Sequence, residues 1–357
     1  MSADAAGPRL IWEQGAAYDL FMSLHVLHQP AEFGLSGTWA AGVRSRLPPS
    51  ESEILRQAAT LIVQPFHWLH TLPAPKDSET VLWALRQIPP AERLAALALT
   101  RTTPRELADA MRRALARGTW EQEDRLALQA TVSRWQYEQP KPDLEAIFHW
   151  CVHPEEFGER YLRGLRAYCE AFFAEEEQRI APYLQQGLEK AQGIAKRLPL
   201  PDLIEELSQG LRLTPLPQKS TWILAPSFWS TPFVIYGEID VERMFFQFGA
   251  RPAHASLVPG GAVPDALTNV LKALADPTRL RILHHLATES LTGAQLARRL
   301  RLRAPTVTHH LNVLRLAGLV YLTVVDEREQ HYAIRAATIE NTFLALNKFL
   351  QADEPQA

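Results

Sequence analysis

Between Asp276 and Gly318, helix start and stop signals follow one another so closely that only short helices fit. Asp276-Pro277 supplies a cap and a first-turn proline for a helix carrying Leu280, Ile282, Leu283 and Leu286. Thr292 caps the next, Gly293 to Leu300. A turn at Arg301 to Arg303 follows, and Pro305 opens another helix that ends at Gly318. Helix, short turn, helix is the arrangement that projects its second member into a major groove of DNA. On a helical wheel of that second member, Val307, Leu311 and Leu314 fall within about 60° of one another and form the core face. The opposite face presents Pro305, His309 and Asn312, flanked by Thr306, Thr308 and Arg315, groups able to reach base edges and phosphates. His310 falls at the margin and reads as a packing residue. After Gly318, the β-rich runs Leu319 to Val325 and Gln330 to Ile334 are joined by Asp326, Glu327, Arg328 and Glu329, which makes a hairpin.

Charge points the same way. The net charge of the chain is -3, yet residues 263–357 carry eleven basic against nine acidic groups. Within 277–315, Arg279, Arg281, Arg298, Arg299, Arg301, Arg303 and Arg315 face a single acid, Glu289. That excess is the electrostatic footprint of phosphate contact. With 46% hydrophobic and 22% charged residues, the composition is that of a globular protein without a membrane span. Met1 to Arg9 does not read as a signal peptide, and two cysteines, Cys151 and Cys169, are too few for a disulfide framework. A cytoplasmic location is expected.

Residues 10–210 read as mostly helical. Thr103, Pro104 and Glu106 mark one start and Gly118 its stop; Ser50 with Glu53 opens an amphipathic helix through Leu69. The stretch Pro154 to Leu198 is one long helix or two broken near Pro182. From about Leu211, prolines punctuate short apolar runs, Trp222 to Ala225, Phe233 to Ile239 and Met244 to Phe248, which look like strands. Ala250 to Pro264 resembles a linker. The expected architecture is mainly α. A helical N-terminal domain (1–210) leads through a short-strand segment and linker (211–263) to a C-terminal winged helix-turn-helix domain (264–357).

The run Leu271 to Leu283 (LKALADPTRLRIL) and the run Thr306 to Val320 (TVTHHLNVLRLAGLV), with Leu296-Ala297 between them and Tyr332 in the second wing strand, resemble the ArsR family of bacterial regulators. The resemblance covers about 90 residues. It implies a homodimer that binds a double-stranded operator palindrome, commonly as a repressor. It also implies dimerisation through the first and last helices of this domain, here Asp265 to Ala275 and Ala337 to Leu350, the latter with Ile339, Phe343, Leu346 and Leu350 on one stripe. Metal-sensing members carry cysteines in the third helix or histidines and carboxylates on the last. Ala294 to Leu300 has no thiol or imidazole and Ile339 to Leu350 no histidine, so no metal or cofactor is expected. The wing tip is acidic. The N-terminal region is similar to the extended domain of some long ArsR-like regulators at Trp12, Tyr18, Asp19 and the Trp39 segment.

Elsewhere, His149, Cys151 and His153, and the one-turn pairs His25 with His28 and His67 with His70, fall short of the three or four ligands a zinc site needs. No glycine-rich phosphate loop, nucleophile elbow or His-Glu-x-x-His helix occurs, so the chain does not read as an enzyme. Trp39, Trp68, Trp83, Trp120, Trp135 and Trp150 are core residues or the lining of an apolar cavity for a small ligand. The function expected is sequence-specific DNA-binding regulation, as a repressor, with the N-terminal domain sensing a small molecule or a protein. The alternative is an N-terminal enzyme recruited to DNA. The expected DNA contacts are Thr292, Gln295, Arg303, Pro305, Thr306, Thr308, His309, Asn312, Arg315 and Arg328.

Overall fold

Proline and apolar periodicity together decide where this chain is helical. The computed structural model describes residues 7–59, 61–62, 64–100, 103, 105–134, 143–252, 255–258, 265–325 and 329–351. It is mainly α, with small sheets and a C-terminal winged helix. Two units form: residues 1–188 with 219–230 and 235–247, and residues 189–218 with 231–234 and 248–357. The expected middle piece, 211–263, is therefore divided between them. Strands Thr221–Ser227, Ile235–Glu238 and Arg243–Gly249 join the N-terminal strand Arg9–Trp12, whereas Leu211–Thr214 joins the wing. The reason is strand pairing: each short apolar run needs hydrogen-bond partners that a linker cannot supply.

In the first unit, Arg9–Trp12 runs parallel to Thr221–Ser227, with Arg9 opposite Thr221 and Trp12 opposite Leu224. Helix Ala17–His28 buries residues on every side, including Tyr18, Asp19, Phe21 and Ser23, as a helix at the centre of a core must. Buried polar groups need partners, and these have them. The Asp19 carboxylate accepts from Ser227 Oγ (2.6 Å), Trp229 N (2.8 Å) and Phe228 N (3.1 Å). Burial pushes its pKa up to about 6 against the opposing pull of those donors. Glu13 is gathered by Tyr18 Oη, His70 Nδ1 (2.5 Å) and Lys76 Nζ (3.1 Å). Burial works to raise the Glu13 pKa, but the His70 and Tyr18 hydrogen bonds and the Lys76 charge outweigh it and hold it below the usual carboxylate range. Arg243 Nη1 donates to His70 Nε2 (3.0 Å), which leaves Nδ1 as the donor to Glu13.

Helix Arg105–Arg117 ends at Gly118 (φ +68°) as its signals require. The helix from Ser50 is shorter than its periodicity predicts: it spans Pro49–Ala58, and Phe66–Leu69 is a separate turn. Pro65 lies between them, and a proline there would remove a helical donor and clash with the preceding turn. The long stretch behaves otherwise. Pro154–Tyr168 passes through a wide π turn, Cys169–Phe173, into Ala174–Ala195, and Pro182 sits inside that last helix without ending it. Gly158 lets this helix meet Pro90 closely, since a Cβ there would lie 2.0 Å from the Pro90 carbonyl oxygen.

In the second unit, helices Asp265–Leu274, Pro277–Leu286, Gly293–Leu300, Ala304–Leu316 and Ala336–Gln351 enclose a core that includes Val270, Ile282, Leu286, Leu296, Leu300, Val307, Leu311 and Leu314. The wing strands Val320–Val325 and Glu329–Ile334 pair antiparallel, Val320 opposite Ile334, and Leu291–Thr292 pairs with the second. A fourth strand, Leu211–Thr214, runs parallel along the free edge of Val320–Val325, Leu211 opposite Leu322. Gly210 (φ +115°) permits this approach, because a Cβ there would lie 2.0 Å from Tyr321 Cδ1. Arg212 and Arg335 hold their guanidinium carbons 5.9 Å and 5.6 Å from the centre of the same ring.

Candidate nucleic-acid interface

The two helices that matter are fixed by local chemistry. At the start of Gly293–Leu300, Gln295 N donates to Thr292 Oγ1 (3.2 Å) and Thr292 N donates to Gln295 Oε1 (2.7 Å), a complete capping box. Its end closes when Leu302 N reaches back to the Ala297 carbonyl (3.0 Å) and Arg301 adopts a left-handed conformation, φ +56°. For a residue with a Cβ that conformation costs about 1 kcal/mol or more. Ala304–Leu316 then begins with Arg303 at its cap and Pro305 in its first turn.

The predicted core face is the buried one, with Val307, Leu311 and Leu314 each at most 1% exposed. Pro305, Thr306, His309 and Asn312 are exposed along one side, beside exposed Arg303. Thr308 is half-buried and its hydroxyl donates to the Ala304 carbonyl (3.1 Å). Arg315 is half-buried, its guanidinium 5.7 Å from the centre of the Phe233 ring. His310 packs inward, its Nδ1 4.0 Å from Asp276; burial lowers its pKa although Asp276 pulls the other way. Arg328 and its acidic neighbours Asp326 and Glu327 lie outside the described residues.

The ten expected contacts thus separate by what the fold asks of them. Thr292 Oγ1 and Gln295 Oε1 are engaged in the capping box, and the Thr308 hydroxyl bonds its own helix. Arg303, Pro305, Thr306, His309 and Asn312 form one exposed strip. The arginine cluster separates too. Arg279 donates to the Ala273 and Lys272 carbonyls (both 2.8 Å), capping the end of Asp265–Leu274, and Arg299 pairs with Glu289 (2.7 Å). Arg281, Arg298, Arg301 and Arg303 are exposed and make no ion pair among the described residues. Two residues escaped sequence reasoning. Arg301 stood in the charge count but gave no sign of its left-handed backbone, and nothing local marks Phe233 as a neighbour of Arg315.

In the other unit, the described tryptophans meet different partners. Trp39 stacks on Trp229 (5.6 Å), Trp68 meets the edge of Phe21 (6.5 Å), Trp120 meets Phe148 (5.0 Å), Trp150 donates to Gln57, and Trp83 is exposed. Trp135 lies outside the described residues. A recess of about 510 Å³ is lined instead by Ala91, Val152, His153, Pro154, Glu155, Glu156 and Glu159. His149 and His153 place their rings 4.7 Å apart while Cys151 is buried. Among the described residues no group of three or more histidines, cysteines and carboxylates is placed to hold a metal ion.

Residues 276–321 match the family described as "Bacterial regulatory protein, arsR family". The chain is similar to the transcriptional repressor SdpR of Bacillus subtilis (37% identity, 15% of this chain and 60% of that one). It is also similar to an HTH-type transcriptional regulator of Methanocaldococcus jannaschii, MJ1325 (44%, 16% and 78%), and to the HTH-type transcriptional regulator CmtR of Mycobacterium tuberculosis (44%, 19% and 58%). It thus spans about 60% of the length of SdpR and 58% of CmtR. Among solved structures, an ArsR-like transcriptional regulator from Rhodococcus sp. RHA1 matches at 34% identity over 23% of this chain and 77% of that one, with a TM-score of 0.22. The matched segment, 276–321, contains both helices, the turn and the exposed strip described above. With that match, and with 44% identity over 78% of the length of MJ1325, the chain belongs to the ArsR family of bacterial regulatory proteins.

Proposed function

We propose that this chain is a homodimeric, operator-binding transcriptional repressor whose N-terminal unit receives the regulating signal. The observation that carries the reading is the strip Arg303, Pro305, Thr306, His309 and Asn312, exposed on the side of Ala304–Leu316 opposite its core face. Imidazole and carboxamide groups on a helix reach base edges, and guanidinium groups beside them hold phosphates. The names of the relatives, transcriptional repressor and transcriptional regulators, support the same reading.

Dimerisation is supported by the last helix, which leaves Phe343, Leu344, Phe349 and Leu350 exposed. Two recognition helices related by a two-fold axis would enter successive major grooves about 34 Å apart. A receiving role for the N-terminal unit rests on its size, far beyond what groove reading needs. A catalytic role is disfavoured at its acid and imidazole pair. Glu13 and His70 are enclosed by Tyr18, Lys76 and Arg243, and both ring nitrogens of His70 are engaged within the fold. No helix among the described residues is long and apolar enough to cross a membrane.

The test is selection of duplexes from a random pool by the purified chain. A two-fold symmetric consensus with half-sites one helical turn apart is expected. Recovery of unenriched sequence at every salt concentration would refute the reading, and a signal compound is sought by native mass spectrometry of the purified protein.

A further inference from the structure

Among the described residues, three helix ends reach the left-handed region with glycine, Gly34 (φ +75°), Gly118 (φ +68°) and Gly318 (φ +66°), and the end of Leu200–Leu207 does so with the uncharged Gln209 (φ +57°). The end of Gly293–Leu300, in the turn between the two helices of the candidate interface, does so with Arg301 (φ +56°, ψ +42°). The geometry itself is imposed by the bond from Leu302 N to the Ala297 carbonyl, and glycine meets that demand without steric cost. Arginine does not.

The fold draws no visible return from the exchange. The Arg301 side chain is exposed, and among the described residues no hydrogen bond or ion pair engages its guanidinium. Arg298 and Arg303, three and two residues away, are also exposed and cationic, so a third positive charge adds repulsion in the free protein. A conformation that is unfavourable for its residue type, carrying a charge that the folded chain leaves unpaired, is the pattern of a position kept for an external partner. That partner must be anionic and must meet the turn when Ala304–Leu316 meets its own target.

We propose that Arg301 is a phosphate anchor: its guanidinium holds a backbone phosphate of the duplex beside the groove that Ala304–Leu316 occupies, and the left-handed backbone fixes the root of that side chain. The inference rests on the DNA-binding reading and adds to it a residue with no role in choosing bases. Phosphate contacts set orientation and salt dependence while remaining indifferent to sequence. Arg301 therefore contributes equally on any duplex, in contrast to His309 and Asn312.

The substitution Arg301→Gly separates this role from folding, because the two effects have opposite signs. The full-length Gly variant is expected to melt no lower than the wild type, while binding selected and scrambled duplexes about five- to tenfold more weakly and with a salt slope shallower by about one. Arg301→Lys, which keeps a point charge, is expected to retain most of the affinity. Arg301→Ala should match the Gly variant in binding yet melt below it. A Gly variant that binds like the wild type with an unchanged salt slope overturns the anchor while leaving the DNA-binding reading intact. A Gly variant that melts lower also overturns it, since Arg301 would then be supporting the fold. Failure of the wild type to bind any duplex at low salt removes both.

Discussion

In the N-terminal unit the carboxylates of Glu13 and Asp19 are buried, each with three donors around it, whereas in the C-terminal unit Arg298, Arg301, Arg303, His309 and Asn312 stand in solvent with their polar groups pointed away from the core. The first arrangement holds strand Thr221–Ser227 to helix Ala17–His28 and closes the loop from His70 to Lys76 on the end of Arg9–Trp12. The second contributes little to folding. A polar group that the fold engages is expensive to remove and silent toward ligands; one that it leaves exposed is cheap to remove and available to a partner. Substitutions in the two units should therefore fail in different ways.

The largest effect is expected at Asp19. Asp19→Ala leaves Ser227 Oγ and the Phe228 and Trp229 amides without their acceptor, and should lower the stability of the N-terminal unit by about 3 kcal/mol or more. Denaturant unfolding followed by tryptophan fluorescence reads this directly, because all nine tryptophans precede residue 230. A loss under 1 kcal/mol would break the contrast.

Acidification should act on the same unit. Burial pushes His25 and His28 down to about 4, below their ordinary 6.5, so the folded state binds fewer protons and loses stability as pH falls below 6.5. Asp19, raised to about 6, works in the opposite direction as pH falls through 6. Two histidines outweigh one carboxylate, giving a net loss of about 2 kcal/mol between pH 6.5 and 4.5. The double substitution of His25 and His28 by glutamine should reverse the slope; an unchanged slope would show that other groups govern it.

Gly210→Ala acts within the C-terminal unit itself. The new methyl meets the Tyr321 ring and the backbone there is left-handed, so pairing of Leu211–Thr214 with Val320–Val325 should weaken by about 1–2 kcal/mol. Faster hydrogen exchange at the Val320–Val325 amides, with Ala304–Leu316 unchanged, is the expected sign. Phe233→Ala should have the smallest effect. It removes the ring facing Arg315, costs about 0.5–1 kcal/mol at most, and should appear as a modest loss of duplex affinity. Equal loss of stability and affinity would make Phe233 a core residue.

Legibility from sequence followed the range of the physics. The helix boundaries between Asp276 and Gly318 were readable because caps and prolines act within one turn, and the face Val307, Leu311, Leu314 was readable because periodicity survives folding. The fourth wing strand was not, since Leu211–Thr214 and Val320–Val325 pair in parallel across more than a hundred residues with no local mark. Arg301 was hidden because an arginine does not announce positive φ as glycine does. The Thr-x-x-Gln spacing of the capping box is also in the sequence, and it gives Thr292 Oγ1 and Gln295 Oε1 partners within the fold. Pro49–Ala58 stops well before Pro65, and Pro182 sits inside a helix, so proline alone decides neither boundary.

On the DNA-binding reading proposed above, the exposed strip on Ala304–Leu316 reads base edges. Its most direct test is competition between a selected duplex and its scrambled counterpart for wild-type protein and for His309→Ala and Asn312→Ala, at matched salt. Each variant is expected to keep its melting temperature and its affinity for the scrambled duplex while losing about tenfold on the selected one. Identical losses on both duplexes, or none on either, would contradict it.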